Sequence, residues 1–468
     1  MKKGYIYEGT VLYTRFPNKG YVDSDGEKVL VKNVIPGQKI SFRALKKKKG
    51  HFEGKLMEVL EKSPLETEEK KCSNFPDCGG CSYQTLGYEE QLQLKYSQVK
   101  ELLLPVICKE EGLDEEGAKL LFDGIEKSPE QTGYRNKMEY SFGDAQKNGP
   151  LTLGLHKKGS SFDILSATDC ILVHEDMNRI LSCVLEYCQE KSLPYYHKMS
   201  HEGFLRYLLI RRAQTSGEIV AAIVVSSQMQ EDFSELKERL LSLELEGKLV
   251  GFLKMTDDSV ADVLRSESTE ILYGQDWFYE ELLGLQFKIT PFSFFQTNTK
   301  GAEKLYSIAR EMIGNIDNAT VFDLYSGTGT IGQVMAPSAG KVIGVEIVEE
   351  AVEAAKENAK RNGLGNCRFL AGDVLKMLDE IEERPDFLIL DPPREGIHPK
   401  ALHKIIRYEA ERIVYISCKP SSLATDLETF LQGGYQIRRI KCVDMFPGTV
   451  HVESCVLLEK KKDEAGRS

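Results

Sequence analysis

The run "VFDLYSGTGTIG", residues 321–332, is one that few folds accommodate: an apolar strand, a turn holding Gly327, Gly329 and Gly332, then a helix start. Its G-x-G-x-x-G spacing lets backbone approach a ligand closely at a helix N-terminus. The segments around it keep one rhythm, with strand-like stretches at 320–325, 341–346, 367–371, 386–390 and 412–417 and a helical stretch at 349–362. Strands alternating with helices predict a parallel, doubly wound α/β sheet. Glu346 closes the second strand, where a carboxylate can accept both hydroxyls of an adenosine ribose. NAD and S-adenosylmethionine both carry that ribose, so the loop does not choose between them.

The stretch "FLILDPPREGI" makes the distinction. It ends a buried strand in Asp391, Pro392 and Pro393, a stiff corner at the carboxyl edge of the sheet, where open α/β folds bind ligands. Hydride transfer has no evident use for such a corner beside a cysteine. A methyltransferase acting on a flat base does, because the loop can hold a planar ring against a methyl donor. That cysteine is Cys418, in "RIVYISCKPSSLATDL", at the end of another strand of the same sheet. Taken alone, a cysteine after an apolar strand is a core residue. Its address at the ligand edge, with a helix start at "PSSLATDL" to favour the thiolate, makes it a candidate nucleophile.

Eleven cysteines in a 468-residue chain without an N-terminal apolar leader argue against a disulfide framework and for metal or thiol chemistry. "CSNFPDCGGC" clusters Cys72, Cys78 and Cys81, and Gly79 and Gly80 let three thiolates face one point. Cys108, Cys170, Cys183 and Cys188 are the candidates for a fourth ligand. Cys108, Cys183 and Cys188 lie among helical apolar residues, whereas Cys170 follows the polar "SATD" and is chosen. Zinc and iron–sulfur both fit the spacing. Radical enzymes that split S-adenosylmethionine use gaps of three and two, unlike the five and two here.

The net charge of −11 hides an uneven distribution. Residues 1–60 hold 13 Lys and Arg against 6 Asp and Glu, a net +7, and the remainder carries −18. A basic module on an acidic body suits a polyanion. Short strands punctuated by "NKG", "DSDGE" and "IPG" predict a small OB-like barrel over residues 1–64, with Lys46–Lys49 in a loop or hairpin end. Tyr5, Tyr7, Tyr13, Phe16 and Tyr21 are available to stack on single-stranded nucleic acid, with core filling the expected role for most. The sequence divides at residues 1–64, 65–119 with 120–289 as a mixed α/β middle, and 290–468. "FLRYLLIRRAQTSGEIVAAIVVSS" reads as a hairpin turning at "TSGE". No run of 18 uncharged apolar residues marks a membrane span, and a cytoplasmic, monomeric protein is expected.

"FFQTNT", "DLYSGTGTIG", "LDPPREGI", "YISCKPSSLATDL" and "HVESCVLL" occur in the order seen in RNA uracil-5-methyltransferases. The whole chain resembles the ribosomal branch of that family. The resemblance implies a Rossmann-like S-adenosylmethionine domain, an N-terminal TRAM barrel of the OB type, a central α/β domain with a [4Fe-4S] cluster, and 23S ribosomal RNA as partner. It implies Gln296, Tyr325, Gly327, Gly329, Glu346, Asp373 and Asp391 as donor contacts, Cys418 as nucleophile and Glu453 as base. It also implies Cys72, Cys78, Cys81 and Cys170 as cluster ligands. Lys419 stands where the family often reads S-C-N-P, and Gly448 where a His is common. Arg135 and Lys137 in "YRNK" suit either phosphate contacts or structural ion pairs. Two other readings use the same residues: an RNA-binding or ribosome-assembly protein on a relict enzyme fold, and a cytosine-5 methyltransferase, whose cysteine usually sits in a P-C or T-C context.

Overall fold

In the computed structural model, which describes residues 1–24, 26–48 and 51–462, the first five strands close on themselves. They are β1 (Ile6–Arg15), β2 (Lys19–Ser24), β3 (Glu27–Lys32), β4 (Lys39–Lys48) and β5 (His51–Glu61), in the order β1-β2-β3-β5-β4. Val11, Val22, Val29, Val31, Ile40 and Phe42 alternate inward and fill the barrel. Of the aromatics singled out in the sequence, Tyr5 is exposed and Tyr7, Tyr13, Phe16 and Tyr21 are half-buried, with Tyr7 packed against the core that Phe42 completes. Lys46–Lys48 end β4 at its turn into β5, and Lys49 lies outside the described residues.

Helix α1 (Tyr88–Glu111), the short α2 (Glu115–Lys119) and strand β6 (Phe122–Glu126) follow. These elements reach from the segment read as 65–119, and from the start of 120–289, into the C-terminal half. Val99, Leu103 and Ile107 of α1 and Phe122 of β6 pack into the core of the C-terminal sheet. The barrel is fixed to the same helix by a 2.6 Å ion pair from Arg15 to Glu101 and by a buried hydrogen bond from Gln98 to the Thr14 hydroxyl.

The middle sheet comprises β7 (Lys137–Asp144), β8 (Leu151–His156), β9 (Ile164–Ser166), β10 (Leu205–Arg212), β11 (Glu218–Val225), β12 (Lys248–Thr256) and β13 (Ser268–Gly274). The hairpin expected at "TSGE" is β10–β11. Helices α3 (Glu175–Glu190) and α4 (Ser234–Leu241) cover one face through Leu208, Ile210 and Ile223. The other face, through Leu209, Val220 and Val224, packs toward the C-terminal half. Strands β10 and β11 are therefore buried on both sides. A small hairpin, β14 (Phe278–Leu282) and β15 (Leu285–Ile289), leads out.

The C-terminal half runs α5 (Thr299–Ile313), β16 (Thr320–Leu324), α6 (Thr330–Met335), β17 (Lys341–Glu346), α7 (Glu349–Arg361), β18 (Cys367–Ala371) and α8 (Val374–Glu380). Then come β19 (Phe387–Leu390), α9 (Pro399–Arg407), β20 (Arg412–Ser417), α10 (Pro420–Gln432), β21 (Tyr435–Val443) and β22 (Glu453–Lys460). The sheet order is β18-β17-β16-β19-β20-β22-β21-β6. Five strands are parallel as expected, but β22 inserts antiparallel between β20 and β21, and β6 adds beside β21. The sheet is mixed rather than wholly parallel, because β21 returns to β22 by a loop instead of a crossover helix.

Candidate active site

The parallel strands end at one edge, and the antiparallel β22 begins there. Ser417 pairs with Ser454, so the next residues outward, Cys418 and Glu453, continue the same register toward the same opening. A cavity of about 1580 Å³ occupies that edge. Cys418, Glu453 and Asp391 line it together with Gln296, Tyr325, Gly327, Glu346 and Asp373. Gly329 precedes α6 in a left-handed conformation, where a side chain would strike Phe369. Tyr325 also has positive φ, an uncommon state for a tyrosine and one that turns the chain sharply out of β16.

The donor side is pre-shaped by hydrogen bonds. The Glu346 carboxylate accepts from the backbone of Gly327 and Val348, each at 3.0 Å. Asp323 accepts from Gly332 N at 2.8 Å, tying strand β16 to helix α6, and burial pushes its carboxyl up to about 7. Asp373 caps α8 through Leu375 N. The Gln296 carbonyl accepts from the Asn136 side chain at 2.8 Å, which joins the "FFQTNT" loop to the start of β7.

The reacting side is a group of acids in a poorly hydrated place. Burial pushes Asp391 up to about 7, and burial with Asp391 nearby pushes Glu453 up to about 8. The Cys418 thiol is also raised, by burial first and then by Glu453, so the helix start after it does not by itself give a thiolate. Arg394 acts the other way on both Cys418 and Glu453. It also meets His451 Nδ1 at 3.3 Å. His451 is held down to about 4 by burial and the surrounding cations, so it stays neutral. Arg394 lies within "LDPPREGI" and His451 within "HVESCVLL", but no local pattern assigns Arg394 its influence on Cys418 and Glu453; the fold does.

Two braces hold these groups. On α10, the Ser422 hydroxyl donates to the Arg394 carbonyl at 2.7 Å, and Asp426 accepts from Ile397 N at 2.9 Å and from the Tyr415 hydroxyl at 2.6 Å. The loop before Glu453 is held by distant parts of the chain. Lys95 and Asp444 form a fully buried ion pair at 2.6 Å, and Lys95 also donates to the Phe446 carbonyl. Tyr134 donates to the Pro447 carbonyl, and the backbone of Ser82 and Tyr83 to that of Gly448. Gly448 has φ +76°, a conformation glycine takes without strain. Lys419 stands at the N-cap of α10, where it makes no side-chain cap; Ser417 accepts its N–H instead.

The cysteines expected as ligands gather where this loop meets the middle sheet. Cys81 and Cys170 share an apolar cluster with Phe75, Tyr134 and Leu172. Burial, above all, raises Cys81 to about 12 and Cys170 to about 11, and Cys72 and Cys78 add to both shifts. Gln84 donates to Cys72 Sγ at 3.3 Å, and Lys158, lying over the Phe75 ring, brings a cation to the thiols. Among the described residues no group of His, Cys, Asp and Glu is drawn tightly enough to hold a single metal ion. Four thiols near one another are the donor chemistry an iron–sulfur cluster uses.

Residues 177–461 match the model of the tRNA (uracil-5-)-methyltransferase family. The chain is 50% identical over 461 residues to an uncharacterized RNA methyltransferase of Clostridium tetani, covering 98% of this chain and 99% of that one. It is 48% identical over 460 residues to another from Caldanaerobacter subterraneus subsp. tengcongensis, covering 98% and 100%. Among solved structures it resembles the Pyrococcus abyssi tRNA (uracil-54, C5)-methyltransferase in complex with S-adenosyl-L-homocysteine. That likeness has a TM-score of 0.73 at 25% identity and covers 96% of this chain and 100% of the other.

Proposed function

Since this chain belongs to the tRNA (uracil-5-)-methyltransferase family and is an S-adenosylmethionine-dependent RNA methyltransferase, we propose that it methylates carbon 5 of a uridine through a covalent adduct to Cys418. The observation that carries this is that Cys418, Glu453 and Asp391 lie near enough to act on one another and line the same cavity as the glycine loop. Carbon 5 of uracil is too weak a nucleophile to take a methyl group unaided. Cys418 thiolate adds to carbon 6, and the electron pair pushed to carbon 5 and the carbonyl oxygen makes an enolate. Carbon 5 of the enolate then takes a methyl group from the sulfonium as the methyl–sulfur bond breaks and S-adenosylhomocysteine is left, with Gln296, Tyr325, Gly327, Gly329, Glu346, Asp373 and Asp391 as the donor's contacts. Arg394 favours the thiolate that begins the sequence. Glu453 then removes the carbon 5 proton, the carbon 5–carbon 6 double bond re-forms, and Cys418 leaves as thiolate.

The substrate we propose is a uridine of 23S ribosomal RNA, because the cysteine set and the barrel accompany the motifs of that branch. A tRNA substrate is the second reading, favoured by the likeness to the Pyrococcus enzyme. The base must leave its stack to enter so deep a cavity, which favours looped uridines. Cys72, Cys78, Cys81 and Cys170 are proposed to hold a [4Fe-4S] cluster in a monomeric, cytoplasmic enzyme whose barrel, residues 1–64, binds RNA. No helix among the described residues is long and apolar enough to cross a membrane.

The reaction is tested with unmodified 23S rRNA and tRNA and labelled donor. Cys418→Ala abolishes both methylation and any covalent adduct. Glu453→Gln still transfers methyl but accumulates a denaturation-resistant enzyme–RNA species. Normal product release by Glu453→Gln, or methylation by Cys418→Ala, would refute the scheme, and nucleoside analysis separates uracil from cytosine as the base.

A further inference from the structure

Strand β10 carries a buried charge that its own surroundings leave poorly matched. Arg211 is 3% exposed, and its Nε has no partner. One of its five N–H donors is used, from Nη2 to the Ser293 carbonyl. Among the described residues no carboxylate lies within 4 Å of it. Directly opposite in the antiparallel register is Lys137, so the two side chains share a face of the sheet. Lys137 holds Glu139 at 2.7 Å, and that one carboxylate serves both cations. Burial, with Glu139 opposing, brings Arg211 down to about 10; burial and then Arg211 lower Lys137. Arg211 remains charged at neutral pH, and its nearness opposes the charge on Lys137.

The position gives this arrangement a purpose. Ser293, which Arg211 grips, lines the cavity. Arg135, two residues before Lys137, lies over the ring of the cavity residue Phe446 at 5.8 Å, and its Nε is also buried without a partner. Between them, Asn136 holds Gln296. Arg211 and Arg135 thus stand directly behind residues that line the cavity, and unmatched buried donors in a folded protein call for a water, an ion or a ligand to complete them. Guanidinium forks suit the paired oxygens of a phosphodiester.

We propose that Arg211, Lys137 and Arg135 form an anion site that takes a backbone phosphate of the RNA beside the nucleotide in the cavity. This rests on the reading that the cavity receives an RNA uridine. The site positions the strand and carries no base preference. It also costs the unliganded protein stability, as a site that waits for its counter-charge must.

The test uses the full-length protein and a fluorescein-labelled oligouridylate in a salt series. Arg211→Met weakens binding, and the slope of log K against log salt falls by ~0.7, the loss of about one phosphate contact on a single strand. The same variant melts at or above the wild-type temperature, because a poorly matched buried charge has gone. Lys137→Gln, at a less buried position, lowers the slope in the same way should Arg211→Met not fold. Affinity for S-adenosylhomocysteine, by calorimetry, is unchanged in both. Wild-type affinity and slope in both variants overturn the proposal. So does a lowered melting temperature with RNA binding intact, which makes Arg211 merely structural, or a selective loss of S-adenosylhomocysteine binding, which assigns the cations to the donor. Wild-type protein that never yields 5-methyluridine, while the slopes change as described, rejects the reaction and leaves this site standing.

Discussion

Glu453 is the base of the proposed scheme, yet it sits fully buried with its carboxyl pushed up to about 8, so near neutral pH its resting form is the protonated one. A protonated carboxyl cannot accept the carbon 5 proton. The release step should therefore quicken as pH rises through about 8, and acid conditions should make the wild type resemble Glu453→Gln by accumulating adduct. Rapid-quench measurement of adduct and free product across that range checks this, and a flat release rate would assign the proton to another group. His451 does not enter the profile, since it is neutral throughout. Cys418 affects an earlier step: its raised thiol makes adduct formation, measured separately, also faster at higher pH.

Helix α10 acts on the chemistry through what it holds. Ser422 and Asp426, one turn apart on the same helical face, fix the loop that presents Arg394. Asp426→Leu breaks the bonds to Ile397 N and the Tyr415 hydroxyl. It should lower kcat by roughly 10- to 100-fold through misplacement of Arg394, with a smaller change in KM for RNA. Asp426→Asn keeps an acceptor oxygen and should lie within a few-fold of wild type. Alkylation of Cys418 against pH, followed on its own peptide, should shift upward in the leucine variant alone; unchanged kcat there would show that the loop holds itself. Little of this bracing was legible in the sequence. Cys418, Asp391 and Glu453 could be read because each sits in a compact motif at a strand end. The partners of Asp426, and the Lys95–Asp444 pair across 349 residues, could not, because local pattern carries no information about distant neighbours. The same limit explains the sheet. Alternating strands and helices gave the parallel core, but nothing local says that β22 runs the other way or that β6 joins so far from its partner.

At the scale of the whole molecule, three basic or soft-ligand features converge on the catalytic half. The barrel is pinned to α1, the cysteine loop runs directly into the residues that hold Gly448, and the middle sheet sets Arg211 behind the cavity residue Ser293. The cysteines proposed as cluster ligands thus adjoin the loop that leads to Glu453, through the bonds of Ser82 and Tyr83 to Gly448. Protein purified without oxygen should contain iron and sulfide in near-equal amounts, and Cys170→Ser should lose the iron and lower the melting temperature. Stoichiometric zinc without iron would refute the assignment.

Strand β6 and helix α1 also impose an order of events on synthesis. They leave the ribosome well before β21, the strand that β6 pairs with, and the gap of roughly 300 residues takes about 15–60 s at bacterial elongation rates. Throughout that interval Val99, Leu103 and Ile107 have no sheet to cover. A nascent chain of this protein is thus a natural client for a chaperone near the exit tunnel, and an mRNA broken before codon 435 yields a product that cellular proteases can recognise by the unpaired edge and apolar helix it exposes.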